Sequence, residues 1–112
     1  MLSQSILSDD ALVVRGGLNE PEQIRRNYRW HPSGIEGVSV HSAPDLDVQD
    51  LAVGIPNGQV GITTVGQVRE LGGDVIPTPG RSPFHATLTG LTPEQISGLL
   101  TPTGPNPSFG TS

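Results

Sequence analysis

The sequence predicts an α+β domain built on a single small mixed β-sheet with several short helices. Three observations lead there. Apolar and polar residues alternate over short runs, as in Val38-Ser39-Val40-His41 and from Phe84 to Thr89, which is the period of half-buried strands. Helix-start signatures lie between these runs, the clearest being Thr92-Pro93-Glu94-Gln95, with a cap, a proline at the first helical position and a glutamine at the third. Finally, 15 glycines and 11 prolines in 112 residues turn the chain too often for long helices.

Taken in order, residues 1–10 form a polar, flexible N-terminus, and Ala11 to Arg15 reads as the first strand, closed by Gly16 and Gly17. Asn19 is placed to cap a helix with Glu22 at its third position, and Ile24 and Tyr28 share a face at i, i+4 spacing. Pro32-Ser33-Gly34 turns into the strand around Val38 and Val40. Asp47 and Asp50 suit the cap and third position of a two-turn helix stapled by Leu46 and Leu51 and stopped at Gly54. After Pro56-Asn57-Gly58, Gln59 to Thr63 is a strand; Thr64 with Gln67 caps a helix whose Val65, Val68 and Leu71 share a face. Asp74 to Ile76 is a short strand, the Pro77–Pro83 loop carries Arg81, and Phe84 to Thr89 is the last strand before the helix capped at Thr92. The predicted order is β-α-β-α-β-α-β-β-α within a single domain over 11–100, followed by a Pro/Gly/Ser/Thr-rich tail over 101–112. Short connections favour an antiparallel pair, hence a mixed sheet rather than a doubly wound parallel one.

Composition narrows function. Eleven acidic residues outnumber six basic ones, which argues against a broad basic face for duplex DNA. All six basic residues are arginine, so a Schiff-base or phosphate-loop lysine is excluded, and the lack of cysteine excludes a thiolate zinc site or a thiol nucleophile. No signal-peptide pattern and no run of 18 apolar residues occurs, so the expected location is cytoplasmic, with no membrane partner. The three histidines lie far apart, and Asp45, Asp47 and Asp50 lack the glycine and closing glutamate of a calcium loop, so no metal site is expected. Only 33% of residues are apolar and 4% aromatic; a core this thin is expected to be completed by a second copy or another protein.

Two groups of residues could carry chemistry. Strand parity places Arg15, His41, His85 and Thr87 opposite the main apolar residues of their strands, so neighbouring strands would converge them into a catalytic Arg/His/Thr site able to hold a phosphate and move a proton. A wet sheet face would show the same alternation. The segment Arg25-Arg26-Asn27-Tyr28-Arg29-Trp30-His31 sets guanidiniums beside aromatics in an acidic chain. Arg26, Arg29, Trp30 and His31, with Arg81, are therefore candidate substrate-binding residues for a nucleotide or an unpaired base. A solvated helix end with the only tryptophan in the core would explain the same segment.

Two short resemblances bear on these residues. His85-Ala86-Thr87 is similar to one copy of the H-x-T element of two-histidine phosphoesterases, which implies an imidazole and a hydroxyl on one strand face; His41-Ser42-Ala43 lacks the second hydroxyl. Val13-Val14-Arg15-Gly16-Gly17 resembles the first strand of ADP-ribosyltransferase-like domains, with Ser39-Val40-His41-Ser42 as the following hydroxyl-bearing strand. That resemblance implies NAD as a cofactor and Arg15 as its contact; Glu94, in a helix, does not match the family's catalytic glutamate, and an acid-free relative would resemble the RNA 2′-phosphotransferases. The expected function is a small toxin- or defence-like protein that processes a nucleotide or RNA phosphate. The alternative is a non-catalytic binding or regulatory module, antitoxin-like, completed by a protein partner.

Overall fold

The computed structural model describes residues 7–30, 34–80 and 82–108. Along them run β1 (Leu12–Gly16), α1 (Pro21–Asn27), β2 (Arg29–Trp30), β3 (Glu36–Ala43), α2 (Val48–Leu51), β4 (Gln59–Thr64), α3 (Val65–Glu70), β5 (Asp74–Pro77), β6 (His85–Thr89), α4 (Pro93–Leu100) and β7 (Gly104–Pro105). The α+β class holds. The sheet order is β5-β6-β3-β1-β4-β7 with β2 also against β3, and every ladder among the described residues is antiparallel, where a mixed sheet was expected. Two strands of two residues each, β2 and β7, are added to the predicted order.

Register assigns the two faces, because directly opposed residues project to the same side. Val13, Val38, Val40, Ala86 and Leu88 face the main core, closed by Ile24 of α1, Val65 and Val68 of α3, and Ile96 and Leu100 of α4. Val14 and Val60 face the reverse side, where α2 lays Leu51 and Ala52 on them. The sheet is thus covered on one face over most of its area and on the other only in part, by a helix of four residues.

Caps behave as helix physics requires, with one shift of register. Asp47 and Thr64 accept from the backbone N–H of Asp50 and Gln67 at 3.0 and 3.1 Å. Asn19, expected to cap α1, instead takes a left-handed conformation (φ 57°) and donates from its buried amide to the carbonyls of Arg15 and Gly17. The cap is Glu20, whose N–H is met by the Gln23 side chain at 3.1 Å. Of residues 7–10, read as part of the flexible N-terminus, Leu7 lies in the main core and the exposed Asp9 pairs with Arg69. Part of the tail docks too, with Asn106 buried and donating to the carbonyls of Ile55 and Asn57.

Thr92 and Gln95 satisfy each other's backbone N–H at the start of α4 (3.1 and 3.0 Å). Thr92→Ala therefore costs about 1 kcal/mol, read as a lower midpoint in urea with an unchanged slope. An unchanged midpoint would contradict this helix start.

Candidate functional site

Strands β3 and β6 build the site. In their ladder His41 stands opposite His85 and Ser39 opposite Thr87, so all four project to the reverse face, and opposed Cα atoms lie about 4.5–5.5 Å apart. Both imidazoles and Ser39 line a cleft of about 690 Å³, whose other walls include Val53 and Pro56 after α2 and Pro83 and Phe84 before β6.

Each imidazole is held from behind. His41 Nδ1 lies 2.8 Å from the Leu51 carbonyl, an acceptor left without an intrahelical donor where α2 ends. A carbonyl can only accept, so Nδ1 carries the proton and Nε2 of the neutral ring is the basic atom. His85 Nδ1 lies 2.9 Å from the Thr78 hydroxyl and 3.2 Å from its carbonyl, while Nε2 lies 3.1 Å from Ser39 Oγ. Gly80 lets the loop lie against this ring: a Cβ there would come within 2.4 Å of His85 Cγ. Thr87 is fully buried and its hydroxyl lies 2.9 Å from that of Thr78. It therefore faces the support network of His85 rather than the cleft.

Arg15 was expected on the face of the two histidines, and register places it on the other. Val14, not Arg15, shares the His41 face, since the two are direct partners; Arg15 is two residues from Val13 and so starts on the main-core side. Arg15 nonetheless lines a smaller cleft with Ser39 and His41 next to the one the two imidazoles share, and its guanidinium reaches β3 because β1 pairs with β3 only over 41–43 and β2 only over 36–37. In the gap between them Arg15 Nη1 donates to the Ser39 carbonyl at 3.4 Å. Burial pushes the Arg15 pKa down from the ordinary arginine value, which still leaves it charged.

Of the expected binding residues, Arg26 lines a polar cleft with Arg15, Asn19, Gln23 and Asn57, and Arg29 lines another with Arg15, Asn27 and Ser39. Trp30 is 67% exposed on β2, not in the core. His31 and Arg81 lie outside the described residues. Thr78 and Asn57 were not among the expected site residues; Ser39 was expected on the polar face through its parity with His41 and lies there. Among the described residues, no three His, Cys, Asp or Glu side chains group to hold a metal, and no helix is long and apolar enough to cross a membrane. Comparison with family models, with curated proteins and with solved structures finds no match.

Proposed function

We propose that the protein cleaves an RNA phosphodiester by general acid–base catalysis, with His41 and His85 as the proton-transfer pair and Arg15 beside them as the charge that faces the phosphate. The observation that carries the reading is the direct opposition of His41 and His85 in the β3–β6 ladder, each ring anchored through Nδ1 at one shared cleft. In this reaction Nε2 of neutral His41 takes the proton of a ribose 2′-hydroxyl, whose oxygen attacks phosphorus. The bond from phosphorus to the 5′-oxygen breaks, and that oxygen receives a proton from Nε2 of protonated His85. The products are a 2′,3′-cyclic phosphate and a 5′-hydroxyl, and the protons balance without any further reactant. Apolar walls at Val53, Pro56 and Phe84 suit a base or ribose beside the reacting group.

The test is incubation of the purified protein with unpaired oligoribonucleotides, with products resolved by chromatography and mass. A cyclic phosphate end is expected, and a 2′-deoxy substrate should be inert. Cleavage of the deoxy substrate, or no cleavage of any RNA, overturns the reading.

A second reading, the non-catalytic binding module, is favoured by the exposure of Trp30 on a two-residue strand, since aromatic residues are enriched at protein interfaces. It expects a larger assembly than the monomer in light scattering, lost in Trp30→Ala.

A further inference from the structure

We propose that the polar cleft beside Arg15 is a second phosphate subsite, which takes the phosphate next to the reacting one in a single-stranded RNA. The proposal rests on the acid–base reading above and extends it to the class of substrate. Arg25 and Arg69 are each paired with two carboxylates, whereas Arg15, Arg26 and Arg29 have no ion-pair partner among the described residues. Among those residues, no acidic side chain lines either cleft in which these three stand, one of about 360 Å³ and the other about 350 Å³. In a chain of net charge −5, three guanidiniums kept clear of carboxylates form an anion site. The amides of Asn19, Gln23 and Asn57 share the larger cleft with Arg15 and Arg26, and can hydrogen-bond phosphate oxygens or a ribose.

Arg15 has a buried Nε without a hydrogen-bond partner among the described residues. A guanidinium that is largely desolvated and lacks a counter-charge gains more from a bound anion than an exposed one does. Continuity gives direction: Arg15 lines both polar clefts, and a smaller cleft joins it to Ser39 and His41. A chain with its reacting phosphate at the imidazoles therefore meets Arg15 and then Arg26 with the next one. The net negative charge disfavours a duplex.

Isothermal titration calorimetry reads binding without any reaction. The titrants are 2′-O-methyl uridine dinucleotide, with one internucleotide phosphate, and trinucleotide, with two. The trinucleotide should bind about tenfold more tightly, with a slope of log affinity against log salt steeper by about 0.7. Arg26→Gln should remove most of that gain; Arg25→Gln, whose guanidinium is paired with Glu22 and Glu94 outside the cleft, should keep it. Equal affinities for the two ligands, or equal losses in the two variants, overturn the subsite. Tighter binding of NAD than of the trinucleotide, dependent on Arg26, would make it a pyrophosphate site and overturn the assignment to RNA. Failure is separable from that of the acid–base reading: an Arg26-dependent gain without cleavage of unmethylated RNA leaves the subsite standing alone, and cleavage without the gain removes only the subsite.

Discussion

His41→Asn should lower kcat/KM for a ribodinucleotide by about 100- to 10,000-fold, the range for loss of a positioned acid or base, while the far-UV spectrum stays native. Asparagine suits this test because its amide N–H can replace Nδ1–H at the Leu51 carbonyl, now 2.8 Å away, while nothing replaces the basic Nε2. His85→Asn should fall by a similar factor, but it also disturbs support: Thr78 and Ser39 both bond to this ring, and Thr87 bonds to the Thr78 hydroxyl. Groups that act on one transition state are not additive, so the double variant should lose much less than the product of the two single losses. Full multiplicative loss would place the two histidines in separate roles. A fall of less than tenfold in His41→Asn would remove it from proton transfer altogether.

The strip Ser39, His41, His85 and Thr87 was legible because apolar and polar residues alternate along β3 and β6, so parity alone sorts their side chains. β1 offers no such signal. Val13 and Val14 are both fully buried, on opposite sides of the sheet, and a strand buried on both faces shows no alternation from which to place Arg15. Only the ladder with His41 does so. Strands β2 and β7 are two residues each, too short to show a repeat, and exist because tertiary pairing supplies their partners. Asn19 misled because asparagine suits both a helix cap and a left-handed turn; Pro21 was the discriminating residue, since proline at the first helical position makes Glu20 the cap. Thr78, in the proline-bearing loop, has no pattern to mark it, and its contacts with His85 and Thr87 appear only when β5 folds against β6.

Two glycine-to-alanine changes should move stability in opposite directions, and one of them should take the site with it. Gly37 sits in β3 between Thr89 of β6 and Arg29 of β2, where a Cβ would come within 2.1 Å of the Leu88 carbonyl oxygen. A backbone atom cannot rotate aside, so β3 and β6 must separate locally. Gly37→Ala should therefore cost about 3 kcal/mol, the upper part of the overpacking range. Two residues along the same ladder, Ser39 opposes Thr87, and His41 opposes His85 two further on, so the shift reaches the imidazoles and activity should fall in molecules that remain folded. Gly98 lies in α4, where an added Cβ would meet no packed neighbour within 4 Å among the described residues. Alanine there should add about 0.5–1 kcal/mol by reducing the freedom of the unfolded chain and improving helix propensity. Thermal melts read both signs at once: a lower Tm for Gly37→Ala and a higher one for Gly98→Ala, with the Gly98→Ala protein fully active. A Gly37→Ala protein with wild-type Tm would mean that β3 and β6 are not in the close register that brings the two histidines together.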